Sequence, residues 1–211
     1  MRHSLPRRAL LGLTVTFALL LPAAAPAFAA GNVAETYVSD NIHKGLEILN
    51  NRSLSKAQKE QQFEVFLLGL TDMRRIAMFT LGQYRRGASQ GDIDAFAAAF
   101  QNYATAVYQS YFSKYSGQSL KVTGSTEVKP TDYVVNTQLL DPNQGNQPPL
   151  EVAFRVRTDA GRPVVVDVSV SGIWLSLEER DQFVSFLGQN NGNIRTLIAH
   201  LSDLAKQYRT G

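Results

Sequence analysis

RPVVVDVSVSGIWLSLEERDQF, residues 162–183, places Val164, Val166, Val168 and Val170 at every second position. Alternation of that kind projects the four valines from one face of an extended strand, leaving Val165, Asp167 and Ser169 on the other. β-Branched side chains are stiff at their first torsion and suit a pleated surface, which is why the segment reads as strand. Ser171-Gly172 breaks the alternation, and Ile173-Trp174-Leu175 carries the apolar surface onward. Ser176 and Glu179 then have the Ser-x-x-Glu spacing of a capping box, which predicts a helix starting at Ser176.

Upstream of this segment the pattern alternates in three more places, predicting strands at Leu120–Glu127, Tyr133–Leu140 and Leu150–Arg157. Lys129-Pro130-Thr131-Asp132 and Thr158-Asp159-Ala160-Gly161 are short turns, whereas Asp141 to Pro149 makes a longer loop. Tight connections between successive strands imply an antiparallel meander. Before the meander, helical spacing recurs from Asn32 to Asn50, after a Ser55/Gln58 capping box, from Met73 to Leu81, and from Asp92 to about Tyr115. The first two carry stripes through Tyr37, Ile42, Leu46 and Leu49 and through Phe63, Phe66, Leu67 and Leu70. Two helices close the chain, Leu177 to Leu187 and Ile194 to about Tyr208. Helices, then strands, then helices is an α+β order, with a four-stranded meander between the two helical groups.

The opening residues read as an export leader. Arg2, Arg7 and Arg8 form a positive start, Ala9 to Leu21 is apolar, and Ala27-Phe28-Ala29 suits cleavage after Ala29 or Ala30. Residues 1–30 are therefore expected to be removed, leaving residues 31–211 as one domain. The chain holds 21 Lys+Arg against 18 Asp+Glu, and the leader takes three arginines with it, so the remainder balances at 18 against 18. A balanced chain offers no footprint for nucleic acid. The lack of cysteine rules out disulfides, thiol chemistry and Cys-based metal sites. About 180 residues suffice for a full core and a ligand cavity.

Few residues suggest catalysis. His43 and His200 stand apart, with no His-Glu-x-x-His spacing, no G-x-S-x-G elbow and no phosphate loop. Asp167 is the one carboxylate within the valine strand. In a cavity it would serve as a general base with a tyrosine, in a small cone-shaped enzyme; on the non-valine face it would bond to a loop or an arginine, and alternation favours the latter. The helix from Asp92 stacks Phe96, Phe100, Tyr103, Val107, Tyr108, Tyr111 and Phe112, a stripe that serves either as core or as the wall of an apolar cavity.

Four segments in order resemble the MlaC/toluene-tolerance family. Ile76-Ala77-Met78-Phe79-Thr80-Leu81-Gly82-Gln83-Tyr84-Arg85-Arg86 is similar to its ARF-LGRYWR segment, and Val166 to Ile173 is similar to its YDVVVEGVS strand. Arg180-Asp181-Gln182-Phe183 resembles YRSEF, and Gly192 to Ile198 resembles the closing GG-ALI--L. Arg85 replaces the usual Trp, Gln83 an Arg, Val166 a Tyr and Ser171 an acidic residue, which resembles a divergent branch such as the hopanoid-associated HpnM proteins.

The resemblance implies a curved sheet and helices enclosing an apolar pocket for acyl chains, and a carrier that needs no catalytic residue and no cofactor or metal. It implies a periplasmic shuttle of phospholipid, or a hopanoid-like lipid, between an inner-membrane ABC transporter complex and an outer-membrane lipoprotein complex. Under that reading the sheet lining is Val122, Val134, Phe154, Val166, Val168 and Val170. The helical lining is Phe79, Leu81, Tyr84, Phe100, Tyr103 and Val107, with Arg85 or Arg86 near the headgroup.

Overall fold

The computed structural model describes residues 32–210 apart from Ser113 and Ala160, and the backbone alone of Phe112; the leader reading lies outside these residues. The described residues form helices α1 (Val33–Asn50), α2 (Lys56–Leu70), α3 (Met73–Thr80) and α4 (Gln90–Phe112), with a short 3-10 helix at Gly82–Gly87 between the last two. The strands β1 (Ser119–Lys129), β2 (Asp132–Leu140), β3 (Leu150–Arg157), β4 (Val164–Val170) and β5 (Ile173–Trp174) follow, then α5 (Leu175–Gln189) and α6 (Ile194–Thr210). The sheet is antiparallel in sequence order, β1-β2-β3-β4-β5, which is the expected α+β meander with one short strand added. That addition is a two-residue hairpin: Val170 pairs with Ile173 across Ser171 (φ 49°) and Gly172 (φ 82°), the left-handed pair of a tight β-turn.

The valine strand departs from strict alternation. Arg155 pairs with Asp167 but Val156 pairs with Val165, so Val166 is an extra residue in a β-bulge. The bulge inverts the pattern on its N-terminal side. Val165 joins Val168 on the face of Val135, Phe154 and Val156, and these pack against Ala34, Val38, Tyr37 and Ile42 of α1. Val166 is left with Arg155 and Arg157 on the opposite face.

The helix start after β5 also differs from expectation. α5 begins at Leu175, with Ser176 in its first turn and no side-chain cap on Trp174. The capping box does not form because both side chains are engaged elsewhere: the Ser176 hydroxyl donates to Asp167 Oδ2 at 2.5 Å, and Glu179 accepts from Tyr103. By contrast Ser55 and Gln58 form the box expected of them at the start of α2.

Two buried clusters result. Phe96, Phe100, Tyr103, Phe183, Leu187, Leu197 and Leu201 knit α4, α5 and α6 together with Leu81 and Ala77. The other joins α1 to the sheet. A parallel bridge between Thr71 and Val165 ties the α2–α3 joint to β4 at the seam between them.

Asp132 anchors the far end of the sheet. Fully buried, it takes Arg155 Nε and Nη2 at 3.0 and 2.9 Å on its two oxygens. The Arg155 hydrogen bonds hold its carboxyl below the ordinary carboxylate range. A depressed folded value means the pair stabilises fully above the unfolded pKa, about 3.9, and the contribution drains away as pH falls through the folded value. Asp132→Asn is expected to cost about 1–3 kcal/mol at neutral pH, the range for a charged hydrogen bond to a half-exposed partner. Melting curves from pH 7 to pH 2 should show the difference from wild type shrinking toward the acid end.

Candidate functional site: two apolar cavities along one seam

The larger apolar space, about 240 Å³, lies between α1, α2 and the sheet. From α1 come Tyr37, Val38, Ile42, Gly45, Leu46 and Leu49, and from α2 come Phe63, Phe66, Leu67 and Leu70. Leu120, Leu139, Phe154 and Val165 form its floor. None of its walls is a charged side chain; its polar atoms belong to Asn41, Tyr115, Gln118 and Ser119 and to the tyrosine at position 37. Gly45 lets the helices approach, since a Cβ there would stand 3.3 Å from the Phe66 ring. At α2 the reason for the apolar stripe becomes visible: no residue of that helix is fully buried, because its inner face borders the cavity. The rim is ordered by local bonds. Asn41 Nδ2 donates to the Tyr37 carbonyl at 2.7 Å, and the Tyr115 hydroxyl donates to Asn50 at 3.3 Å.

A second chamber, about 110 Å³, sits where α4 crosses β4 and the start of α5. Val165 lines both spaces. Phe63 and Leu67 of the first space and Met73 and Tyr108 of the second also meet around a narrow gap of about 10 Å³. The cavities thus follow the seam between the two buried clusters. At one end the chamber is polar: Tyr103, Tyr108, Asp167, Ser176 and Glu179 meet there. Burial, and after it the Tyr103 bond working in the opposite sense, set the Glu179 carboxyl above its ordinary value; burial and the facing carboxyl raise Tyr103.

The sequence-predicted lining divides accordingly. Phe154 lines the larger cavity, and Phe100, Tyr103, Val107 and Val168 line the chamber. Val122 packs in the α1–sheet cluster beside them, and Val170 pairs with Val152 on the same face as Val168. The remaining residues of the expected lining lie away from both cavities. Val134 pairs with Arg155 and so projects to the arginine face, as does Val166. Leu81 is fully buried among the helices. Phe79 is 38 % exposed beneath Arg180, whose guanidinium stands 5.0 Å from its ring.

Tyr84 packs on Gly192 and, with Gln83, Asp92 and Arg195, borders an open cleft at the helical end. Arg85 and Arg86 are exposed on the 3-10 helix and line neither cavity. Arg74 pairs with Asp94 at 2.6 Å. On the arginine face of the sheet, Arg75, Arg155 and Arg157 share a surface groove with Phe79, Trp174 and Leu177.

Asp167 borders the chamber and is held by its own strand and by α5. Its oxygens accept the Val168 amide at 2.8 Å, the Ser176 amide at 3.0 Å and the Ser176 hydroxyl, so it fixes the entry into α5. Among the described residues no three His, Asp or Glu side chains are grouped to hold a metal, and no helix is long and apolar enough to cross a membrane.

The family profile described as MlaC protein matches residues 39–203. This chain belongs to the MlaC family. Its fold is similar to a solved structure described as the phospholipid-binding protein from Ralstonia solanacearum in complex with a phospholipid. The TM-score is 0.71 at 20% sequence identity, over 83% of this chain and 98% of that one. Membership accounts for the four matching segments. In this structure two of them, around Gly82 and around Gly192, meet through Tyr84.

Proposed function

We propose that this MlaC-family protein is a lipid carrier that holds phospholipid acyl chains in the cavity between α1, α2 and the sheet. The observation that carries the reading is a cavity of about 240 Å³ walled by aliphatic and aromatic side chains, with its polar atoms confined to Asn41, Tyr115, Gln118, Ser119 and a tyrosine hydroxyl. Each methylene removed from water is worth about 0.8 kcal/mol, so a lipid crosses an aqueous space only with its tails covered. Phe154 and the α1–α2 stripes are the first contacts, and Phe100, Val107 and Val168 extend the apolar wall toward the chamber. A charged headgroup finds no counter-ion among the lining residues of the larger cavity, so it sits at the rim in water.

In this role the protein is not an enzyme. It is exported by its first 30 residues, works in the periplasm as the single domain 31–211, and exchanges lipid with an inner-membrane ABC transporter complex and an outer-membrane lipoprotein complex. Support comes from the family, from the phospholipid held by the structurally similar protein, and from the cavity itself. Organic extraction of the purified protein followed by mass spectrometry tests it directly. Two-chain lipid near one molecule per protein is the expected result. An extract free of lipid, together with failure to take up phospholipid from vesicles, would overturn the reading.

A further inference from the structure

The polar end of the α4–β4 chamber leaves one hydrogen-bonding position unused. Glu179 Oε1 accepts the Tyr103 hydroxyl at 2.8 Å, whereas Glu179 Oε2 is buried and meets no donor. Buried carboxyl oxygens ordinarily have partners, because leaving one unmatched forfeits its hydration without return. The neighbouring Asp167 is different, with both oxygens engaged by Val168 and Ser176. No Lys, Arg or His lines the chamber, so no side-chain cation stands there to meet Glu179. Around this one polar end the walls are Met73, Ile76, Phe100, Val107, Val165 and Val168.

We propose that the chamber receives a hydrocarbon group bearing a single hydroxyl, which bonds to Glu179 Oε2 while its apolar body lies against α4 and β4. A hydroxyl is the group that suits this oxygen in either of its states. Ionised, Oε2 accepts the ligand O–H; protonated, Oε2 donates to the ligand oxygen. An ammonium serves only the first state and an ester carbonyl only the second. Burial raises the Glu179 carboxyl above its ordinary value, in the direction of the protonated state. The inference rests on the lipid-carrier reading, since Val165 is a wall common to this chamber and the proposed acyl-chain cavity. The hydroxyl belongs either to an acyl chain or to a polycyclic alcohol.

The test is displacement of a fluorescent fatty acid from the whole protein by matched pairs. Stearic acid is compared with 12-hydroxystearic acid, and cholest-5-ene, which lacks the oxygen, with cholesterol. Wild type is expected to favour the hydroxylated member of one pair by roughly tenfold, the scale of one net hydrogen bond. Which pair shows the preference identifies the source of the hydroxyl. Glu179→Leu should abolish the preference between the two members of that pair, whatever it does to either affinity alone, and Glu179→Gln, which keeps a donor and an acceptor, should retain most of it. Equal wild-type affinity within both pairs overturns the inference without needing a variant, and leaves the carrier reading standing. A preference that survives in Glu179→Leu also overturns it. Failure of every probe to bind would take the carrier reading down as well.

Discussion

Leu46→Trp is expected to lower co-purifying phospholipid by at least tenfold while shifting the melting temperature by no more than about 3 °C. Leu46 projects from α1 into the larger cavity, facing Phe63, Phe66 and Leu67 of α2. It is only half-buried, so an indole there has space to enter the cavity and need not displace a packed neighbour. What the indole occupies, an acyl chain cannot. Excluding three methylenes forfeits about 2.4 kcal/mol of transfer free energy, which is roughly fiftyfold in affinity. Val166→Trp is the matched control. It introduces the same side chain on the arginine face of the sheet, beside Arg155 and Trp174, and should leave lipid content at the wild-type level. Lipid loss in the control with retention in Leu46→Trp would move the binding site to the other side of the sheet.

That pair of variants isolates what the sequence made legible and what it did not. Element order followed from periodicity, because a strand repeats every second residue and a helix every 3.6. Strand partners followed from the short turns. Which valines share a face did not follow, since one extra residue in β4 moves Val165 inward and Val166 outward. A bulge has no dependable mark in a run of valines. Val134 was misplaced for a related reason: β2 holds apolar side chains on both faces, Val134 opposite Arg155 and Val135 opposite Phe154, so composition does not give the direction.

The cavity walls contributed by α1 and α2 were visible as stripes, through Tyr37, Ile42, Leu46, Leu49, Phe63, Phe66, Leu67 and Leu70, yet a stripe looks the same whether it meets another side chain or a space. Residues 79–86 of the family motif line neither apolar cavity. Its Leu81 is core, its Tyr84 rests on Gly192, and its arginines are exposed. Glu179 was read as half of a capping box, and only the packing of α4 on α5 shows it turned toward Tyr103. Spacing along the chain identified a side chain with two possible partners. Tertiary contact decided between them.

Gly82→Ala is expected to cost roughly 2–5 kcal/mol of stability without changing how folded molecules bind lipid. Gly82 closes α3 with φ at +55°, in the left-handed region. An L side chain there costs about 1–2 kcal/mol in backbone strain alone. The added Cβ would also stand 2.8 Å from Val184 Cγ2 and 3.4 Å from Arg180 Nε, both on α5. That approach is closer than real contacts allow, and relieving it by shifting a packed helix costs about 1–3 kcal/mol more. For a domain of this size the sum corresponds to a fall in melting temperature of roughly 5–15 °C. Val184→Ala combined with Gly82→Ala separates the two causes. The double variant should recover the steric part and keep the strain, so the pair should be strongly non-additive. Since Gly82 borders neither cavity, lipid bound per folded protein should match wild type. If occupancy fell in step with stability, α3 and α5 would have to position the acyl-chain walls, and the helical cluster could no longer be treated as a scaffold separate from the site.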